Sequence, residues 1–391
     1  MEVRRLTAQE QDEADLISVI AFHWRKEDLD KIKKESLKER EEEWGAFADD
    51  GKMMARIINH KLTSWMDGSL IQNGGIGSVS TLPEYRNAGA IRAIFHRLIP
   101  EAYQHGEIIS TLAPFNHAFY RKFGYETVRW RNNYAFSPST LREYYFSGKA
   151  ELWKPGDSVS EFTKLYNDFA KGFNLAIQRD DDMMLKKHLE GAYYQNRKFG
   201  YLLRENEKPV AYLIFQDVRS DSGAILDIQD LAWEGKAGLE AILGFLSRFT
   251  ADYGTIRMFL PSSLDLLSII RTPNAYDISQ TAKQDYMLRV IHAQRLLEMI
   301  RKPISDRFVI RIGGDIHIPQ NNGTWEVCGS SAVLTEKEPD ISVSIQALGQ
   351  LASGSVSLSE ALYRPDVQVA GNESVLEKIF VRKPILREDH F

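Results

Sequence analysis

The chain has 391 residues, 43% of them hydrophobic and 26% charged, a balance typical of a globular protein of two or three domains. Its formal net charge is −5, from 49 basic and 54 acidic residues, which argues against a nucleic-acid-binding protein with a strongly basic face. The single cysteine, Cys328, excludes an intrachain disulfide, and no stretch is apolar enough to predict a membrane span, so we expect a cytoplasmic protein.

The N-terminal part predicts helices followed by strands. Residues 7–45 have the pattern of charged helices and end in KIKKESLKEREEEW, which we interpret as a solvated helix face rather than a partner-binding surface. From residue 53 the pattern is that of β-strands paired around MDGS. A strand near 77–82, a short turn and a helix to about Gln104 follow, then the apolar strand EIISTLAP and the segment FNHAFYRKFGYETV.

This arrangement recurs later in the chain. Residues 78–114 and 226–262 each contain a strand, a small-residue turn (NAGA or KAGL), an apolar helix, a strand and a proline. A second hairpin, in FGYLLRENEKPVAYLIFQD, precedes the second copy. We interpret the similar order and spacing as a duplicated α/β unit rather than a chance match of two ordinary strand–helix–strand units.

The rest of the chain divides into two parts. Residues 151–190 are rich in helix signals, and after Gln284 the pattern changes to a predicted helix, YMLRVIHAQRLLEMI, followed by strands with Gly and Asn-Gly turns. We therefore predict three domains, at 1–150, 151–284 and 285–391, the first two with mixed sheets and the last an α+β unit.

The turn RNAG in the first copy has the chemistry of a phosphate site. It joins a strand directly to a helix N-terminus, where free backbone amides and the helix dipole attract anions. Arg86 stands at the start of the turn, and Gly89 allows close approach of the backbone. The turn is neither a dinucleotide fingerprint nor a Walker A loop, since G-x-G-x-x-G and G-K-[ST] are both missing from it.

Two motifs resemble the GCN5-related N-acetyltransferase (GNAT) superfamily. VSTLPEYRNAG is similar to its strand and R-x-x-G-x-[GA] turn, with Ile91 in place of the final Gly or Ala, and NHAFYRKFGY is similar to its later Asn and Tyr element. The resemblance implies acetyl-coenzyme A (acetyl-CoA) as co-substrate. Its pyrophosphate is expected on Arg86 and the amides of Asn87, Ala88, Gly89 and Ala90, and its pantetheine on Val79, Thr81 and Asn116.

The whole chain resembles the enhanced-intracellular-survival (Eis) family, in which two GNAT-like units precede a sterol-carrier-like domain. This resemblance implies an N-acetyltransferase for cationic amines (aminoglycosides, polyamines or lysine side chains) that forms a hexamer. It assigns Tyr120 as general acid, against the alternative of an aromatic side chain packed behind the cofactor strand, and the terminal carboxylate of Phe391 as general base. A tyrosine of ordinary pKa about 10 is a suitable proton donor to a thiolate.

The acceptor site is the least defined part of the prediction. Phe22, Trp24 and Asp389 are candidate substrate-binding residues, because cationic amines need aromatic and acidic neighbours. His390 stands where some relatives have an acidic residue, which puts aminoglycoside binding in doubt. The second copy has Gly235 where the first has Arg86, preceded by Glu234, so we expect a degenerate unit without a phosphate site that walls the substrate cavity.

Two other functions remain open at this point. The sterol-carrier resemblance also allows a non-catalytic acyl-CoA-binding or lipid-binding protein, and the charged helix near residues 28–45 allows an interaction adaptor. Intact Tyr120 and Phe391 favour the enzyme. No His, Cys and Asp cluster predicts a metal site, and neither nucleic acid nor a membrane is an expected partner.

Overall fold

The computed structural model describes residues 1–128, 131–190, 196–220, 223–271, 278–283, 286–301, 306–386 and 389. In chain order the strands are β1 (Glu2–Arg5), β2 (Glu41–Phe47), β3 (Met53–Met66), β4 (Ser69–Thr81), β5 (Ile109–Leu112), β6 (Glu126–Val128), β7 (Arg131–Phe136), β8 (Lys149–Leu152), β9 (Lys198–Glu205), β10 (Lys208–Ser220), β11 (Gly223–Trp233), β12 (Thr255–Pro261), β13 (Ile278–Lys283), β14 (Tyr286–Val290), β15 (Arg307–Gly313), β16 (Gly323–Cys328), β17 (Ser331–Leu334), β18 (Ile341–Ser344) and β19 (Val367–Val369).

The α-helices are α1 (Gln11–Phe22), α2 (Lys26–Glu35), α3 (Ala90–Gln104), α4 (His117–Arg121), α5 (Ser160–Ala170), α6 (Asp181–Met183), α7 (Gly235–Leu246), α8 (Ala293–Met299), α9 (Ile345–Ser353), α10 (Leu358–Ala361) and α11 (Glu373–Ile379), and a π-helical turn at Met184–Leu189 continues α6. Among the residues described, no helix is both long and apolar enough to cross a membrane.

The strands form three mixed sheets. Their orders are β1-β2-β3-β4-β5-β14-β6, β13-β7-β12-β11-β10-β9-β8 and β17-β16-β15-β18-β19. The first and second sheets repeat one motif: an antiparallel hairpin (β3/β4, β10/β11) leads through a helix (α3, α7) to a strand parallel to the second strand of the hairpin (β5, β12). The third sheet is the α+β part, so the predicted fold class is confirmed.

The two repeats exchange one strand each. Strand β7 follows β6 along the chain but lies in the second sheet beside β12, and β14 follows β13 but lies in the first sheet between β5 and β6. Two compact units result. The first unit contains Met1–Val128, Gln284–Lys383 and Asp389, and the second contains Arg129–Lys283 with Pro384–Glu388. The three-domain division at residues 150 and 284 stays a prediction.

Two predicted elements are wrong. Residues 41–45 were expected in a charged helix but begin β2, which pairs with β1 and β3 and buries Trp44, Ala46 and Phe47. Residues 286–290 were expected at the start of a helix but form β14, whose five residues are all buried. Strand pairing on both sides overrides local preference in each case.

The hairpin and the first crossover helix follow the sequence signals. Asp67 and Gly68, both at positive φ (50° and 82°), make the turn between β3 and β4, a conformation that Asp-Gly adopts readily. Helix α3 packs Ile94, Phe95 and Leu98 into the core of the first unit. These two elements bring the C-terminal end of β4 close to the N-terminal end of α3, where the predicted phosphate turn joins them.

Candidate active site

Strand β4 runs past the end of β5. The two pair in parallel only over Asn73–Ile76 and Ile109–Leu112, whereas β4 continues to Thr81 beside β3. A bulge in the β3 pairing, with Ser78 at φ 49°, bends β4 where β5 ends. Within the described chain, no strand pairs with the β5-facing edge of residues 77–81. An extended ligand can therefore add there as a further strand, as predicted for Val79 and Thr81.

The turn after β4 presents backbone amides at the start of α3. Asn87 and Gly89 have φ of 66° and 84°, and Gly89 is the N-cap of α3. The Ala88 amide donates to the Tyr85 carbonyl at 3.2 Å and is already engaged, whereas the first amides of α3 have no acceptor within their helix. Alternating positive φ and a helix N-terminus together form a concave anion-binding surface.

A cavity of about 730 Å³ lies along this strand end and turn. Seven predicted cofactor or substrate residues line it: Phe22, Val79, Thr81, Arg86, Asn87, Gly89 and Ala90. The predicted residues Trp24, Ala88, Asn116, Tyr120 and Asp389 are not among its lining residues. Trp24 is linked to the cavity through Phe22, since their rings stack with centroids 4.9 Å apart.

The cavity lining is basic. Arg86, Arg92 and Lys122 line it, and no described lining residue is acidic. Sequence reasoning missed Arg92 and Lys122. The signal for Arg92 was its place in YRNAGAIR, three residues after the N-cap glycine, where a side chain still lies near the helix start. Such a cation-rich lining suits the phosphates of a polyanionic ligand.

An aromatic group from the second motif also lines the cavity. Phe115, Phe119 and Phe123 contribute their rings, and all three were missed by sequence reasoning although they lie in FNHAFYRKF. Tyr120 packs against two of them, with centroids 5.3 Å from Phe115 and 5.2 Å from Phe119. Tyr120 therefore lies directly behind the rings that the cavity exposes.

The Tyr120 side chain is buried and its phenol is protonated. Burial, and secondarily Tyr125, raises the pKa of Tyr120 above its usual range, so the phenol keeps its proton at neutral pH. No described residue forms a hydrogen bond with this hydroxyl. The Tyr125 hydroxyl, by contrast, is 2.8 Å from Ser110 Oγ. Of the two phenols, Tyr120 is thus the one whose hydroxyl has no hydrogen-bond partner among the described residues.

Two local contacts hold the helix that carries Tyr120. Asn116 caps α4 by accepting the Phe119 amide at 3.0 Å, which occupies the side-chain oxygen that sequence reasoning assigned to the cofactor. Arg289, on β14, donates to the Phe123 carbonyl at 2.6 Å and to Asp315 at 2.7 Å. A Cβ at Gly124 (φ 83°) would overlap this guanidinium, so glycine is required there.

A buried charge cluster fixes α1 beside the β4 bulge. Arg56, on β3, donates to Asp15 at 3.1 Å and to Glu43 at 2.5 Å, and its Nη1 is 3.4 Å from Ser18 Oγ. The Ser18 and Ser80 hydroxyls are 3.5 Å apart. Because each charge has an opposite partner, the cluster orients Ala21 and Phe22 at the cavity without leaving a free charge beside them.

The C-terminal tail is anchored at Asp389. The Tyr286 hydroxyl donates to the Asp389 carbonyl at 2.8 Å, and Asp389 is buried. Both residues belong to the first unit. Phe391 and His390 lie outside the described residues, so their roles stay predictions. Among the described residues, no group of His, Cys, Asp and Glu side chains is arranged to hold a metal ion.

The comparison with protein families assigns the two ends of the chain. Residues 2–128 match the model of the acetyltransferase (GNAT) domain, and residues 293–387 match the model of the sterol carrier protein domain. The first match spans β1–β6 with the cavity described above, and it confirms the predicted GNAT resemblance. The second confirms the sterol-carrier resemblance. Curated protein sequences gave no match.

Three solved structures share the fold over the full length. A GCN5-related N-acetyltransferase from Anabaena variabilis has a TM-score of 0.87 at 19% identity, with 100% of both chains covered. A conserved protein of unknown function from Enterococcus faecalis, described as a probable N-acyltransferase, has a TM-score of 0.86 at 20% identity, covering 100% of this chain and 99% of that one. Eis1 from Mycobacterium abscessus has a TM-score of 0.83 at 18% identity, with 100% of both covered. At these identities the likeness shows a common fold.

Proposed function

We propose that the chain transfers the acetyl group of acetyl-CoA to the amine of a cationic small molecule or lysine side chain. Residues 2–128 match the GNAT acetyltransferase domain, which makes the chain an N-acetyltransferase. The observation that carries this proposal is the free edge of β4 beside a basic, amide-lined helix start. An extended pantetheine and a pyrophosphate need these two features side by side.

The proposed cofactor contacts follow from the described geometry. The pyrophosphate would lie on the amides at Gly89 and Ala90, with Arg86 and Arg92 as charged donors. The pantetheine arm would pair with Val79 and Thr81 on the exposed edge of β4. Acetyl-CoA supplies the thioester whose carbonyl carbon the amine attacks. The absence of carboxylates from the described lining makes this cavity suitable for a polyanion.

The proposed chemistry is direct transfer. The lone pair of a neutral amine attacks the thioester carbonyl carbon, and the C–S bond breaks as the carbonyl re-forms. The departing sulfur takes a proton from Tyr120, and the amine gives up a proton to the terminal carboxylate of Phe391 through water. Tyr120 is restored by a proton from solvent. This role is supported by the contact of Asp389, two residues before the carboxylate, with the Tyr286 hydroxyl on β14.

The proposed acceptor is cationic because of the aromatic pair on and after α1. Phe22 lines the cavity, is 40% exposed and stacks on Trp24. Such ring faces attract ammonium groups by about 0.5–2 kcal/mol each. The family resemblance puts aminoglycosides in doubt at His390, so polyamines and lysine side chains are the proposed acceptors. Assembly as a homo-oligomer, a hexamer by the resemblance, stays a prediction.

Thiol release from acetyl-CoA tests the proposal. The full-length chain with an untagged C-terminus is assayed against aminoglycosides, polyamines, lysine peptides and aryl amines. We expect amine-dependent release with the polyamines or lysine peptides. No release with any amine, while calorimetry shows stoichiometric cofactor binding, would contradict the cationic acceptor and favour a non-catalytic acyl-CoA-binding role.

A further inference from the structure

The second unit contains a larger cavity at the position that corresponds to the cofactor cavity of the first. It has a volume of about 1180 Å³ and is lined by Trp233, at the end of β11, and by Gly235 and Lys236, at the start of α7. In the first unit the cofactor cavity lies at the end of β4 and the start of α3. The duplication has therefore kept a cavity at the strand–helix junction of both repeats.

The charges around the second cavity differ from those of the first. Four cations line it, and four carboxylates accompany them: Lys164, Lys208, Lys236 and Arg271 with Glu161, Asp168, Glu234 and Glu240. Seven of the eight pair within the lining, as in Lys208–Glu234 at 2.7 Å and Arg271–Glu240 at 3.3 Å, and Glu161 pairs with Arg204. The cations are thus neutralised, and Glu234 stands next to the helix start. A pyrophosphate would meet repulsion here rather than a basic surface.

The remaining walls are aromatic and aliphatic. Phe169 contacts both Trp233 and Phe173, with ring centroids 4.3 Å and 4.7 Å apart. Leu165, Leu239 and Ile269 add aliphatic surface. The three rings are only half-buried. Ring faces open to a cavity of this size, with no unpaired charge in the described lining, suit a ligand recognised by apolar contact and stacking.

We propose that the second unit binds an uncharged, largely apolar molecule with a flat ring, held against Trp233, Phe169 and Phe173. The matched charges of the lining exclude a polyanion such as CoA, and the volume admits a ligand of two or more fused or linked rings. The degenerate repeat therefore keeps a binding site of changed chemistry. This inference is independent of the acceptor proposed for the first unit.

The neutral fluorescent probe N-phenyl-1-naphthylamine tests the site on the full-length chain. Titration is expected to show one equivalent of probe that CoA does not displace. The double variant Phe169→Ala/Phe173→Ala should raise the Kd of the probe at this site by about tenfold or more, because two stacking faces are lost. Ser263→Trp, at an exposed lining position, should block it without removing core packing. Phe119→Ala, in the first cavity, is the matched control and should leave it unchanged.

Charge variants distinguish a neutral ligand from an anionic one. Lys164→Ala/Lys208→Ala should keep the probe Kd within about twofold, since the proposed contacts are apolar. Probe binding that is unaffected by both the double Phe variant and Ser263→Trp, or that CoA displaces, would overturn the proposal. Sedimentation that shows these variants changing the oligomeric state would also overturn it, because the ring wall would then be covered by a second copy.

Discussion

Tyr120 and Tyr125 are buried phenols five residues apart that differ in what their hydroxyls contact. The Tyr125 hydroxyl is 2.8 Å from Ser110 Oγ, whereas the Tyr120 hydroxyl lies without a described partner behind the cavity rings. Tyr120→Phe should lower kcat by about 10²–10⁴-fold, the range expected when a general acid is removed. The Kd for acetyl-CoA should stay within a few-fold, because the ring that packs behind the cavity is kept.

The matched control is Tyr125→Phe. It breaks the contact with Ser110 and should cost about 1 kcal/mol of unfolding free energy while turnover stays close to that of the wild type. Since burial raises the pKa of Tyr120, the wild-type rate should not fall between pH 7 and 9 through loss of this proton. An unchanged kcat in Tyr120→Phe would remove the general-acid assignment.

Arg92 tests whether the basic lining holds the cofactor. Arg92 lines the cavity in the first turn of α3 and is exposed, so its removal leaves the core intact. Arg92→Ala should weaken acetyl-CoA binding by about fivefold to tenfold, as expected for one lost solvent-exposed charge-assisted contact, with kcat nearly unchanged. Calorimetry with acetyl-CoA measures this. Arg97→Ala, an exposed arginine of the same helix outside the lining, should have no effect, and equal losses in both would indicate only general charge attraction.

At the scale of elements, the sequence predicted the features that depend on residues close together in the chain. The Asp67-Gly68 hairpin, the turn at Gly89 and both crossover helices were predictable, because glycine and apolar periodicity act within a few residues. Strand β14 was not, since five consecutive buried residues fit a buried helix equally well. Its identity depends on pairing with β5 and β6, more than 150 residues earlier in the chain.

The residues that line the cavity of the first unit were likewise predicted only in part. The sequence located the turn, but not the rings of Phe115, Phe119 and Phe123, because only the folded α4 directs them to one place. Likewise, Asn116 was a reasonable cofactor ligand by resemblance, yet its oxygen caps α4. A polar side chain next to a helix start has a backbone partner available, and sequence alone does not separate that role from a ligand contact.

The loop between β15 and β16 should make the first unit sensitive to acid. His317 stacks on His96 of α3, with the ring centroids 4.7 Å apart. Burial, and secondarily the positive charge of Arg289, lowers the pKa of His317 to about 4. The unfolded chain takes up this proton near pH 6.5 and the folded chain only near pH 4. The stabilisation from neutral His317 is therefore complete above pH 6.5 and is lost as pH falls toward 4.

His317→Phe tests this by keeping a ring against His96 while removing the titration. Thermal unfolding between pH 7 and 4 should show a smaller decrease in Tm for the variant than for the wild type. The difference corresponds to about 1–2 kcal/mol of unfolding free energy. Glu10 and Glu360, whose pKa values are lowered to about 2 by ion pairs with Arg4 and Arg382, contribute equally in both proteins. Parallel Tm curves would contradict the assignment to His317.

At the scale of the whole molecule, the strand exchange means that the acetyltransferase domain does not end where its family match ends. The match covers residues 2–128, yet β14 completes the first sheet between β5 and β6. A fragment of residues 1–150 would expose the paired edges of both strands and remove five buried side chains, so we expect it to aggregate or stay unfolded.

A deletion variant provides the matched comparison. Val128 and Tyr286 are directly opposite in the antiparallel β6/β14 pair, so a short glycine-containing turn can join them as a hairpin. The chain that lacks residues 129–285 should therefore fold cooperatively by calorimetry and retain acetyl-CoA binding. A folded 1–150 fragment, or an unfolded deletion variant, would contradict the role given to β14.

The two chain ends should tolerate additions very differently. The Met1 ammonium lies at the surface, 2.9 Å from the exposed carboxylate of Asp49, so a tag there disturbs little. Near the other end, Asp389 is buried and its carbonyl accepts the Tyr286 hydroxyl, two residues before the terminal carboxylate that we propose as the acceptor of the amine proton. A short tag after Phe391 converts that carboxylate to a neutral amide and should reduce kcat at least tenfold, with acetyl-CoA affinity unchanged because the basic turn is untouched.

Tyr286→Phe should lower kcat in the same direction by a smaller factor, since it loosens the tail but keeps the carboxylate. Equal turnover with either tag would show that the proton leaves by another route, with water or a side chain of the first unit as its acceptor.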